Sequence, residues 1–182
     1  MTHAALVDLA IRWLRSHYRC CIILSEQSCA SGEQPDVIGW KQRCRSVLVE
    51  CKVSLDDFLA DQQKPFRRDP TQGMGAERFY LAPAGPIRPE ELPAGWGLLV
   101  VRGRKVQPVV RCNPRRDLRS SDGLKHELNL LLASLARVQC RIEPQTITDF
   151  LKWENRLARY NGGQLPAGVA RPDIAYLRDV RG

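Results

Sequence analysis

Glu50 and Lys52 stand two residues apart inside SVLVECKV (46–53), a β-branched run that otherwise reads as a buried strand. Side chains of a strand alternate between its faces, so the carboxylate and the ammonium share one face about 7 Å apart, while Val47, Val49, Cys51 and Val53 line the other. Charge is tolerated in a buried strand when it is paired or bound to something. A divalent cation with a scissile phosphate would satisfy both groups, and a salt bridge on the strand is the plainer alternative. Asp36 opens the preceding apolar segment, PDVIGW (35–40), and an antiparallel hairpin between 36–40 and 46–53 brings it alongside Glu50. Two carboxylates supply the hard oxygen donors that Mg²⁺ takes together with waters and phosphate oxygens. Such an ion acidifies a bound water and offsets charge on the phosphate, and a nearby lysine orients or deprotonates the nucleophile. The chemistry expected of this trio is phosphodiester hydrolysis.

The elements that must position these residues can be read on either side. Leu6, Leu9, Ala10, Trp13 and Leu14 recur at helical spacing and predict a first helix with Asp8, Arg12 and Arg15 off the apolar stripe. That pattern, broken by charges, is not a signal peptide, and no run is long enough to span a bilayer. RCCIILS (19–25), PDVIGW and SVLVECKV read as three strands. Ser54 with Asp57 three residues on resembles a capping box, opening a second helix with Leu55, Phe58 and Leu59 as its apolar face and its end before Pro65. Residues 65–76 are expected as a long loop, ERFYLAP as a fourth strand, and GLLVV with KVQPVVRC as a hairpin closed at Arg102-Gly103-Arg104. Leu124, Leu128, Leu131, Leu135 and Val138 mark a third helix starting near Asp122, and 147–160 a fourth.

Pro35-Asp36 followed on the next strand by Glu50-Cys51-Lys52 resembles the PD-(D/E)XK nuclease superfamily, and helix, three strands, helix, strand over 4–82 is similar to its αβββαβ core. The resemblance covers a little under half the chain. It implies a restriction-endonuclease-like α/β fold, a mixed central sheet flanked by helices. Asp36 and Glu50 would be metal ligands joined by the Cys51 carbonyl, Lys52 the catalytic lysine, and Mg²⁺ the cofactor, with Mn²⁺ as substitute. Residues 83–160 would be hairpin and helical elaboration of the same single domain, and 161–182 loop or tail. Members often carry a glutamate on the first helix; here Asp8 is available, and its expected role is an exposed pair with Arg12. A second Pro-Asp, Pro172-Asp173, has no acid-x-Lys after it.

The formal charge of +8 is uneven, because residues 1–91 carry 12 Lys/Arg and 12 Asp/Glu, whereas 92–182 carry 16 and 8. An excess confined to one half points to a polyanion, nucleic acid and DNA first. Lys64, Arg67 and Arg68 are placed to hold the phosphate backbone beside the site. Arg102, Arg104 and Lys105 at the hairpin tip, followed by Arg111, Arg115, Arg116 and Arg119, form the densest basic stretch. Seven cysteines without a CxxC pair read as free thiols of a reducing cytoplasm, with Cys20 and Cys21 facing opposite ways. His126-Glu127 begins no HExxH motif and reads as structural. The resulting expectation is a Mg²⁺-dependent nuclease acting on DNA. A non-cleaving DNA-binding or scaffold protein on the same fold and an RNA-directed nuclease are the alternatives, and a homodimer is left open.

Overall fold

Thr2 opens the chain's first helix by accepting the backbone N–H of Ala5, and the helix α1 (His3–Ser16) turns Leu6, Val7, Ala10, Trp13 and Leu14 inward. The computed structural model describes residues 1–29, 32–113 and 117–139. After α1 come β1 (Ile22–Ser25), β2 (Val37–Lys41), β3 (Arg45–Cys51), α2 (Leu55–Gln62), α3 (Pro65–Arg68), β4 (Glu77–Pro83), β5 (Gly97–Arg102), β6 (Lys105–Val110) and α4 (Ser121–Gln139). The chain divides into a compact unit over Met1–Leu131 and a second over Leu132–Gly182; the sheet belongs to the first. The expected helix at 147–160, the tail, Pro172-Asp173, Cys140, Arg115 and Arg116 lie outside the described residues.

All six strands form one sheet in sequence order. β1, β2 and β3 pair antiparallel, β3, β4 and β5 run parallel, and β6 returns antiparallel to β5. A strand buried on both faces reads as a continuous apolar run, and β3 is that strand. Its Val47, Val49 and Cys51 pack with α1, and Leu48 packs with Phe58 of α2, Tyr80 of β4 and Leu130 of α4. The protein is thus an α/β fold with a mixed six-stranded sheet flanked by helices. Among the described residues no helix is long and apolar enough to cross a membrane.

Several expected details change. β1 starts at Ile22 instead of residue 19, since Arg19 adopts a φ of 53° and breaks the extension. Cys20 is buried and Cys21 exposed, on opposite sides as expected. The expected loop at 65–76 contains α3, entered through Pro65, and a 3₁₀ turn over Pro70–Gln72. In α2, Ser54 caps as expected, but the inward residues are Phe58 and Asp61, with Leu55 and Leu59 exposed.

Helix α4 departs most from its pattern. Its inward face is Gly123, Glu127 and Leu130, whereas Leu124, Leu128 and Leu135 of the predicted stripe are exposed. The buried carboxylate explains the inversion. Glu127 accepts Trp40 Nε1–H at 3.0 Å, the Ser46 hydroxyl at 2.7 Å, the Gly75 N–H at 2.8 Å and Arg119 Nη1 at 3.0 Å. Gly123 lets the helix approach the Gly73 carbonyl, which a Cβ would meet at 2.7 Å. Glu127 is thus structural, as expected, and Arg119, expected in the basic stretch, is instead its buried counter-ion. Replacing Glu127 by Ala leaves four donors without their acceptor, and we expect a loss of about 3–5 kcal/mol, read as a lower urea midpoint; an unchanged midpoint would show that α4 docks by apolar contact alone.

Candidate active site

The β2–β3 register sets Val37 opposite Val49, so Asp36, one residue before β2, arrives beside Glu50. Asp36 Oδ2 accepts the backbone N–H of Cys51 at 2.7 Å, and Oδ1 lies 3.4 Å from Nε2 of His3, the first residue of α1. His3 thus supplies the first-helix contact for which the sequence offered Asp8, which is exposed. Glu50 and Lys52 share a face as expected, with Lys52 Nζ 3.3 Å from Glu50 Oε2. That face is covered: Glu50 is 1% and Lys52 4% exposed.

The ammonium has a second partner that the sequence did not single out. Asp61 of α2 places Oδ1 3.2 Å from Lys52 Nζ and 2.7 Å from Nζ of the half-exposed Lys64. Its other oxygen accepts Arg67 Nε–H and the Tyr80 hydroxyl, each at 2.9 Å. Arg67 then reaches Glu33 Oε1 and Glu50 Oε1, each at 2.7 Å, with its guanidinium carbon 4.8 Å from the Phe66 ring and 4.9 Å from the Trp96 ring. The remaining oxygen of Glu33 accepts the Met74 N–H at 2.8 Å. Arg67, expected on a loop against phosphate, is therefore corrected to a buried hub of three carboxylates. The reason is local: α3 turns its side chain inward where the sequence implied an open loop. Lys64 sits at the rim of this network, and Arg68 is exposed, donating to Gln63.

The two inner carboxylates differ in character. Burial pushes the Glu50 carboxyl up to about 7; Arg67 and Lys52 oppose that shift, and the charges of Asp36 and Asp61 add to it. Burial also acts on Asp61, but Arg67, Lys52 and hydrogen bonds from Lys64 and Arg67 outweigh it and hold this carboxyl below the usual range. Each acid has one oxygen without an aligned hydrogen bond, Glu50 Oε1 and Asp61 Oδ1; the contrast lies in the other oxygen, which in Asp61 accepts Arg67 and Tyr80 at 2.9 Å and in Glu50 accepts Lys52 alone at 3.3 Å. Burial lowers the pKa of Lys52, but Glu50 and Asp61 more than compensate, so the ammonium stays charged at neutral pH. The Cys51 thiol is buried in the α1 core with its pKa raised, which leaves only its backbone available to the site.

β3, β4 and β5 are parallel, so Glu50, Lys52 and the Arg102-Gly103-Arg104-Lys105 tip lie at the same end of the sheet. Arg102, Arg104 and Lys105 are exposed there. Glu33 and Asp61 were not singled out in the sequence for want of a local signal, except that Asp61 lies three residues after Phe58 on the same helical face. Among the described residues no group of three or more His, Cys, Asp and Glu side chains converges to hold a metal ion.

Neither a protein-family model nor a curated protein matches the chain. The solved structure of a protein of unknown function from Silicibacter pomeroyi is similar, with a TM-score of 0.56 and 21% identity over 80% of this chain and 94% of that chain. The likeness shows a shared fold.

The direction of the Glu50 shift sets a pH dependence. Being raised from 4.5 to about 7, Glu50 contributes stability that is complete below 4.5 and lost as pH rises through about 7, a loss of about 3 kcal/mol. Asp61, being lowered, acts in the opposite sense and loses its contribution only in acid, below the usual carboxylate range. Urea midpoints with chelator present should therefore fall across that interval for the parent and stay flatter for Glu50→Gln; superimposable profiles would show that Glu50 is ionised throughout.

Proposed function

We propose that this chain hydrolyses phosphodiester bonds in nucleic acid, DNA first, with Asp36, Glu50 and Lys52 at the reacting centre and Mg²⁺ as cofactor, Mn²⁺ substituting. The observation that carries the reading is the placement of two carboxylates, Asp36 and Glu50, and the Lys52 ammonium at the carboxyl end of the parallel strands. The order α1-β1-β2-β3-α2-α3-β4 also supports a restriction-endonuclease-like core of the PD-(D/E)XK kind. Exposed Arg102, Arg104 and Lys105 at the same end supply cations for a phosphate backbone.

The donor chemistry fits a small divalent cation. Mg²⁺ needs only one or two carboxylates beside waters and phosphate oxygens. Asp36 Oδ1 faces a histidine and no lysine or arginine among the described ion pairs, and buried Glu50 Oε1 lacks an aligned hydrogen bond. Asp36, Glu50 and the Cys51 carbonyl would hold the ion, which when bound acidifies water and offsets phosphate charge. The Cys51 N–H fixes the rotamer of Asp36. Lys52, held by Glu50 and Asp61, orients or deprotonates the nucleophile and stabilises charge on the phosphoryl oxygens.

A second reading, a nucleic-acid-binding protein on the same fold without cleavage, is favoured by one feature. Both oxygens of Glu50 already face cations, Arg67 at 2.7 Å and Lys52 at 3.3 Å, and Lys52 is covered.

Purified protein incubated with DNA and RNA, with Mg²⁺ or with chelator, separates the two. Metal-dependent cleavage is expected, with Asp36→Ala and Lys52→Ala lowering the rate by roughly 10²- to 10⁴-fold while Asp36→Ala, at the rim, melts close to the parent. Binding without cleavage under every metal condition would establish the second reading. Replacing Arg102, Arg104 and Lys105 by Ala should lower affinity and flatten its log–log salt dependence by about one unit per lost contact on duplex DNA; an unchanged slope would place the phosphate contacts elsewhere.

A further inference from the structure

The opposite end of the sheet, about 20 Å from Cys51 along the seven residues of β3, carries a second constellation. There the C-terminal turn of α1, the start of β4 and the end of β6 with the residues that follow it surround a cavity of about 150 Å³. Its walls include Trp13, His17, Tyr18 and Phe79, with Glu77 and Arg111 as its charged lining. The rings form a continuous aromatic wall: Trp13 stacks on His17 with centroids 5.3 Å apart and 17° between planes, and lies 4.8 Å from Tyr18, which meets Phe79 edge-on at 5.8 Å.

Glu77 is 2% exposed and already committed. It accepts the Tyr18 hydroxyl at 3.0 Å and Arg45 Nε–H at 2.9 Å, and pairs with Lys41 at 3.3 Å. Lys41 and Arg45 pair with this carboxylate and Arg111 shares its cavity, while Arg19, next to Tyr18, and Arg43, in the β2–β3 turn between Lys41 and Arg45, are exposed at the same end of the sheet, as is Arg111. Asp117, tied to this region by Arg119 bonding the Cys44 carbonyl, is neutralised by Arg119 at 2.7 Å. The surface is therefore cationic. Its backbone is strained as well: Arg19, Arg43 and Cys44 have φ of 53°, 64° and 55°, a region costly for residues other than glycine and one that clusters where side chains are held out for contact.

We propose that this end binds an unpaired nucleotide of a single strand, its base against the aromatic wall at His17 and its phosphates on Arg43 and Arg111. Aromatic faces interleaved with cations are what single strands need, since every base has a face to stack and every phosphate a charge to meet. An organic cation is the wrong occupant. Lys41 Nζ already sits 4.4 Å from the centroid of the Tyr18 ring, and Glu77, the carboxylate lining this cavity among the described residues, is already paired with Lys41 and Arg45. The inference rests on the nucleic-acid reading of the other end and adds the form of the substrate: strands with unpaired nucleotides are preferred over blunt duplex.

The test uses the full chain in chelator, where binding is read without cleavage, with a short fluorescein-labelled oligo-dT and a blunt hairpin duplex of equal length. The single strand should bind more tightly. His17→Ala should weaken it by roughly five- to a hundredfold with an unchanged salt slope, as the loss of one stacked base requires. Arg43→Ala and Arg111→Ala should each flatten the slope by about 0.7, as the loss of one single-strand phosphate contact requires. Arg43 and Arg111 are exposed, so their variants should melt with the parent, and His17→Ala should melt only slightly lower for the loss of its stack on Trp13, with binding compared well below either transition. Equal affinity for both probes, parental binding by His17→Ala, or competition by tetramethylammonium beyond that of sodium at equal ionic strength would each overturn the proposal. Binding as expected without metal-dependent cleavage would remove the hydrolase reading and leave this one standing; cleavage with parental binding by all three variants would do the reverse.

Discussion

The guanidinium of Arg67 is the contact on which this end of the fold depends. Three carboxylates, from the turn before β2, from β3 and from α2, converge on it, and without it their mutual repulsion in a dry interior would prevent α2 and α3 from closing on the sheet. An arginine suits the position better than a lysine would. Its planar fork offers five donors in fixed directions, and its faces pack against rings, here Phe66 and Trp96. Trp96 in turn stacks on Tyr80 at 4.5 Å, and Tyr80 donates to Asp61, so the aromatic and ionic contacts form one network.

That network gives two acids of similar burial opposite tendencies. Asp61 receives aligned donors and stays ionised, and through Lys52 it holds the ammonium in its charged form. Glu50 accepts a single hydrogen bond, from Lys52, and burial prevails. A carboxylate left short of hydrogen bonds is destabilised in the absence of a further cation, and such a group gains most from binding one. Arg67 both makes the burial of Glu50 tolerable and occupies one side of it. The balance between those two effects is what separates an enzyme from a binding protein on this fold.

Charge is also sorted along the sheet. The carboxyl end of the parallel strands gathers Glu33, Asp36, Glu50 and Asp61, whereas the other end exposes Arg19, Arg43 and Arg111 and holds a carboxylate paired with Lys41 and Arg45. The neutral N-terminal half of the sequence conceals this separation, because its acids and bases alternate along the chain and are parted only by the β2–β3 hairpin. A polyanion meets cations first at the end remote from the carboxylates, and the exposed tip at Arg102, Arg104 and Lys105 offers the complementary contact at the near end.

Local periodicity was enough to specify β3, the shared face of Glu50 and Lys52, the Ser54 cap, the opposed thiols of Cys20 and Cys21, and the hairpin closing at Gly103, since each depends on neighbours within a few residues. The proximity of Asp36 to Glu50 was legible too, because an antiparallel pair with a short turn leaves little choice of register. Tertiary structure alone decided which polar groups went inside. Arg67 reads as a loop cation until Glu33, 34 positions away, is brought against it. Glu127 reads as the polar side of a leucine stripe until Trp40 and Ser46, more than 80 positions away, claim its oxygens. An apolar residue carries its preference for burial in its own side chain, so its spacing is informative by itself. A charged residue is buried only where partners offset the cost of leaving water, and those partners are chosen by the fold.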